Sequence, residues 1–197
     1  MNRRDILKHS TLILGYAVSG GTLAGLMAGC QADPKPDWTP QFFTPEQGTT
    51  LAEICERILP KTDTPGAKDL LVDRFVDAMI AGYYSPQDQE MMRKGMADFE
   101  ADCQKNYGAP FAKLKPEQQD ELLTKWDKAA PPLPPTIWGG NIGVGEKPVF
   151  YRKLKELCLM GYFQSEKVGE EILSYDPIPG KQIGCLPLAE VGNAWSL

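Results

Sequence analysis

Histidine is almost missing from this 197-residue sequence: the single one, His9, falls within the first ten residues, ahead of anything that reads as a folded body. That absence removes the commonest metal ligand, the Ser-His-Asp and Cys-His nucleophile systems, and a haem attached through C-x-x-C-H. Cysteine is sparse and scattered. Cys55, Cys103, Cys158 and Cys185 stand tens of residues apart, unlike the close pairs that zinc and iron–sulfur sites use. There is no basic run, and the chain is acidic at a formal −5, so it repels a phosphate backbone and nucleic acid is set aside as a partner. No stretch alternates with period two, which argues against a sheet domain. The glycine loop "GGNIGVG" lacks the G-x-G-x-x-G order and follows no strand, so it reads as a surface or interface loop rather than a dinucleotide site. Carboxylates such as Glu170 and Glu171 read as a solvated helix face, not a catalytic pair.

What is present starts with the opening "MNRRDILKHS", in which Arg3 and Arg4, followed by Asp5, Ile6, Leu7 and Lys8, resemble the twin-arginine export signal. That route carries proteins that fold before crossing the membrane. The apolar stretch from Thr11 to Gly29 is just long enough to span a bilayer, but Gly15, Ser19, Gly20, Gly21, Thr22 and Gly25 dilute it. It ends in "LMAGC", which resembles a lipobox whose cysteine, Cys30, is lipidated and becomes the new N-terminus. Residues 1–29 are therefore read as a twin-arginine signal with a lipobox-like end. The expected location is the periplasmic side of a bacterial membrane, reached through the twin-arginine translocase and held by the lipid on Cys30. Loss of residues 1–29 removes Arg3, Arg4 and Lys8 against Asp5, moving the formal charge from −5 to −7. Five cysteines make an odd count, which lipidation of Cys30 resolves. Three pairings of the other four are then open in an oxidising compartment; we favour Cys158 with Cys185 and Cys55 with Cys103. The competing reading leaves Cys55, Cys103 and Cys158 as buried thiols on apolar helix faces.

Residues 30–43 carry three prolines and no period, which suits an extended tether. The folded domain is expected over 44–197. Thr44-Pro45-Glu46-Gln47 reads as a capped helix start, with Leu51, Ile54, Cys55, Ile58 and Leu59 at helical spacing up to Pro60. After the Thr64-Pro65-Gly66 turn, Val72, Phe75, Val76, Met79 and Ile80 predict a second helix. Ser85-Pro86 opens a third that Gly108 stops, Pro116 opens a fourth, and "AAPPLPP" breaks it. A fifth is expected from about Pro148 to Tyr162 and a short sixth from Ser165 to about Leu173, before an irregular tail rich in proline and glycine. The prediction is a mainly α, single compact domain of five to six helices.

A signal for folded export on a chain with no recognisable cofactor site implies that the cofactor belongs to a partner. At this point the residues themselves carry a resemblance. Gly161-Tyr162-Phe163 with Ser165-Glu166, then Tyr175-Asp176-Pro177, Pro179-Gly180 and Gly184-Cys185, together with "ICERILPKTDTPGA", resemble the gluconate 2-dehydrogenase subunit 3 family over most of residues 44–188. The resemblance implies a non-catalytic accessory subunit, and an export and maturation escort, for a flavin-dependent sugar or polyol dehydrogenase of the glucose-methanol-choline family. FAD would sit in that large subunit, which often passes electrons to a c-type cytochrome. The expected partner interface is Gly161, Tyr162, Phe163, Ser165, Tyr175, Pro177, Pro179 and Gly180, where aromatic groups at a helix end and a stiff proline segment suit recognition. The plain alternative is that Tyr162, Phe163 and Tyr175 close the core. Two other functions stay open on the residues alone: a self-sufficient periplasmic enzyme using carboxylates on a sugar, or a structural lipoprotein that anchors a complex.

Overall fold

Thr44 begins the first helix by a reciprocal cap. In the computed structural model, which describes residues 38–131, 136–137, 140–141, 149–176, 178, 180–181 and 184–196, the Gln47 amide donates to Thr44 Oγ1 (3.2 Å) and the Thr44 amide to Gln47 Oε1 (3.3 Å). Helix α1 runs Pro45–Ile58 and stops at Leu59, ahead of Pro60, which has no N–H to continue it. Helix α2, Val72–Tyr83, starts differently: Leu71 enters at φ 55, a left-handed conformation that favours glycine. Its far end is closed by the next helix, where Gln89 Nε2 donates to the carbonyls of Ile80 (3.0 Å) and Ala81 (3.1 Å). Helix α3, Pro86–Tyr107, is capped by Ser85 Oγ and ends on Gly108 at φ 68, the residue type that turn requires. A 3-10 turn at Phe111–Lys113 leads into α4, Pro116–Ala129.

Thr136–Ile137 (β1), just before the expected glycine loop, and Gly140–Asn141 (β2), inside it, pair as a two-residue antiparallel ribbon, with Thr136 opposite Asn141. Helix α5, Phe150–Phe163, and the short α6, Glu166–Glu171, follow. The tail expected to be irregular contains one further turn of helix, α7, Leu188–Val191. The described residues are thus mainly helical, as expected. Arg3, Arg4, Cys30, Pro177 and Pro179 lie outside the described residues.

Helix α5 is central, packing on α2 and also touching α1, α3, α4 and α6. Its buried residues, Phe150, Leu154, Leu157, Cys158 and Gly161, recur at three and four, so one stripe faces the interior. A relay of rings joins the elements around it. Phe111 lies 5.2 Å from Phe99, Phe99 5.4 Å from Trp126, and Trp126 6.1 Å from Phe150, all tilted or edge-on, the favoured aromatic geometry.

Two expectations are corrected here. The first concerns the tether, because residues 38–43 are part of the folded body. Asp77 of α2, fully buried, accepts the backbone N–H groups of Gln41 (2.6 Å), Phe42 (3.2 Å) and Phe43 (3.0 Å). One turn earlier on α2, Asp73 accepts Trp38 Nε1 (3.2 Å). Arg93 of α3 stacks on the Phe42 ring at 4.1 Å and donates to the Phe42 carbonyl (3.3 Å), while Phe42 and Phe43 themselves are buried. A buried carboxylate accepting three amides ties this irregular segment to α2. The body therefore begins by Trp38, not at Thr44.

The second correction concerns the cysteines. Cys55 meets Cys158, Sγ to Sγ at 3.0 Å, rather than Cys103. The Cys103 thiol instead donates to the Ala109 carbonyl (3.2 Å), and Cys185 is exposed. Helical spacing put each thiol on an apolar face but could not tell which faces meet.

Asp77→Ala leaves two buried amides and one part-buried amide without an acceptor, and is expected to lower the unfolding free energy by about 3 kcal/mol or more. Urea denaturation of the variant measures it; a loss below about 1 kcal/mol contradicts the latch.

A candidate partner-binding face

The end of α5 sorts consecutive residues to opposite fates. Gly161 faces α2 so closely that a Cβ there would lie 2.6 Å from Phe75 Cδ1, so only glycine fits without displacement. Tyr162 turns inward: it is 8% exposed and its hydroxyl donates to the Pro65 carbonyl (3.1 Å) in the loop after α1. Phe163 turns outward, 50% exposed, with its ring edge-on to Tyr162 at 5.3 Å. Ser165 tightens the corner, its hydroxyl donating back to the Tyr162 carbonyl (2.7 Å).

Helix α6 then turns the chain over the same end, with Val168 fully buried beneath it. Beyond it the C-terminal tail returns as a strap. Ser174 and Trp195 form a parallel bridge, in which the Ser174 amide donates to the Ala194 carbonyl (2.9 Å) and the Ser196 amide to the Ser174 carbonyl (2.9 Å). Asn193 Nδ2 adds a bond to the Ile172 carbonyl (3.1 Å). Together these segments enclose an open groove of about 540 Å³ whose lining includes Phe163, Glu166, Gly169, Tyr175 and Trp195.

The surface chemistry of this end is distinctive. Of the ten exposed large apolar residues among those described, seven fall between Leu159 and Trp195, so the apolar surface is concentrated in the last quarter of the chain. Phe163, Tyr175 and Trp195 are each about half exposed and share one groove. Among the described residues no three His, Cys, Asp or Glu side chains converge to hold a metal ion. The arrangement offers aromatic area and a few flanking carboxylates, which suits gripping a surface.

Of the expected interface residues, Phe163 and Tyr175 are in place on the groove, and Ser165 lines it. Tyr162 and Gly161 belong to the interior. Gly180 is exposed, with nothing close to it, so no near backbone approach explains it. Asp176 Oδ1 accepts the Ile178 amide (3.1 Å), while Pro177 and Pro179 lie outside the described residues. Trp195 was missed by sequence reasoning. It stands in a tail without periodicity, and only the pairing with Ser174 brings it to Phe163.

A family model for gluconate 2-dehydrogenase subunit 3 matches residues 45–180, more than half of the chain. The match starts at α1 and ends before α7, so Phe163 and Tyr175 fall inside it and Trp195 outside. No curated protein and no solved structure matches the chain.

Gly161→Ala is expected to destabilise the fold by about 1–3 kcal/mol, because the added methyl must displace the Phe75 ring. Adding Phe75→Leu should restore part of that loss in a double-mutant cycle of thermal unfolding, and strict additivity contradicts the contact.

Proposed function

The chain belongs to the gluconate 2-dehydrogenase subunit 3 family, and from that membership we propose that it is a non-catalytic accessory subunit that binds and escorts a large flavin-dependent dehydrogenase. The proposed partner is of the glucose-methanol-choline type, acts on a sugar or polyol, and carries the FAD. In this reading the present chain supplies the twin-arginine signal through Arg3 and Arg4, and the partner travels with it already folded and loaded. Cys30, lipidated after export, then keeps the pair at the periplasmic face, where a c-type cytochrome subunit takes the electrons.

The observation that supports the reading is the groove at the end of α5. Exposed apolar residues scattered singly need no explanation, whereas three half-exposed aromatic groups around one concavity mark a binding surface. Glu166 and Glu170 at the groove give it the polar margin usual around an apolar interface centre. The groove adjoins Tyr162, whose hydroxyl donates to the Pro65 carbonyl and ties the end of α5 to the loop after α1.

Two experiments test the proposal. In cells that make the large subunit without this chain, the large subunit is expected to stay in the cytoplasm; its arrival in the periplasm, FAD-loaded and active, removes the escort role. Phe163→Ala and Tyr175→Ala are each expected to weaken co-purification at least tenfold, which is about 1.4 kcal/mol. Their unfolding free energies should stay within about 1 kcal/mol of the parent, since both side chains are already half in water. Undiminished co-purification of the double variant places the interface elsewhere.

A further inference from the structure

Cys55 on α1 and Cys158 on α5 are 103 residues apart in sequence and 3.0 Å apart between sulfurs. Both are at most 1% exposed and sit in the one continuous apolar core. The separation is about 1 Å beyond the ~2.05 Å of a sulfur–sulfur bond, a gap that small side-chain rotations close. Each thiol has the other as its hydrogen-bond partner, with apolar neighbours around the pair.

We propose that Cys55 and Cys158 are the site of an intramolecular disulfide that staples α1 to the central helix. The oxidant is an external disulfide, either a small molecule such as oxidised glutathione or a protein dithiol oxidase. One cysteine thiolate attacks it, forming a mixed disulfide and releasing one thiol. The second cysteine, as thiolate, attacks the protein-side sulfur and releases the other thiol. Two protein thiols are oxidised, one external disulfide is reduced to two thiols, and the two protons pass to those products.

Among the described residues the other two cysteines do not compete within the closed fold. Cys103 is engaged with the Ala109 carbonyl, and Cys185 lies exposed in the tail. Order of events also follows from the burial. The hydrogen bond with Cys158, followed by burial, holds the Cys55 thiol well above its ordinary pKa, so little attacking thiolate exists once the core has closed. The bond therefore forms when the core opens transiently in the presence of the oxidant. Once made, it closes a long loop and removes conformational freedom from the unfolded chain.

The test uses the full chain, denatured, reduced, and refolded either with oxidised glutathione or with dithiothreitol. Non-reducing peptide mapping by mass spectrometry is expected to show the Cys55 and Cys158 peptides joined, two hydrogens lighter than the sum of the free peptides, only in the oxidised sample. The thermal midpoint of that sample should be higher by about 10 °C. Recovery of both cysteines as alkylated free thiols after oxidative refolding overturns the proposal, as does a bridge from either one to Cys103 or Cys185. In the Cys55→Ala/Cys158→Ala variant the midpoint should no longer respond to dithiothreitol; a persisting response assigns the bond to other cysteines. If that variant does not fold, the peptide map of the unaltered chain decides alone.

Discussion

The close approach of α5 to α2 at Gly161 and Phe75 is the constraint from which the rest of the architecture follows. With no side chain at 161, the Phe75 ring of α2 packs directly on α5, and next to it Tyr162 reaches the Pro65 carbonyl and pins the loop between α1 and α2. One turn back along α5, Cys158 meets Cys55 of α1, and further back Leu154 and Phe150 carry the same stripe into the core. On α2 itself, Asp73 and Asp77 gather Trp38 through Phe43. One helix pair thus fixes α1, the segment before it, and the loop between them.

What local chemistry decides was legible in the sequence. Thr44 with Gln47, Ser85 with Pro86, and Gly108 each act on amides or carbonyls within four residues of themselves, so their effect is written where they stand. The helical stripes were equally readable, since Val72, Val76 and Ile80, or Met92, Met96 and Phe99, are spaced by the turn of the helix and are all fully buried. Asp77 defeats that kind of reading. Its partners are backbone amides about 35 residues earlier, and an amide carries no residue identity for a sequence pattern to show. The meeting of Cys55 with Cys158 and of Ser174 with Trp195 fails for the same reason: periodicity tells which way a side chain faces, not what it faces.

Ion pairing among the described residues is placed away from the groove. Ion pairs such as Arg57 with Asp120, Lys125 with Asp102 and Lys155 with Asp127 tie α1 to α4, α4 to α3, and α5 to α4. Lys125, with help from Trp126 and Asn106, keeps the Asp102 carboxyl below its ordinary pKa. Such pairs at an exposed surface contribute little stability each, but they fix which faces are polar. None of the ion pairs among the described residues includes a residue that lines the groove. The charge at the aromatic end is that of Glu166 and Glu170, which line the groove outside these ion pairs.

The exposure of Phe163 is a consequence of where α5 ends. Neighbouring residues on a helix point about 100° apart; the buried stripe ends on Gly161 and Tyr162, and Phe163, one step further round, faces outward. A chain with no use for that ring could cover it with the returning tail. The tail does return, held by the bonds between Ser174 and residues 194–196, yet it brings Trp195 to the same groove half exposed instead of closing over Phe163. Two segments far apart in sequence therefore deliver aromatic surface to one place, the first inside the family's matched span and the second beyond it. Packing alone would favour burying at least one of these rings, yet both stay in reach of solvent, which is the exposure the proposed binding face rests on.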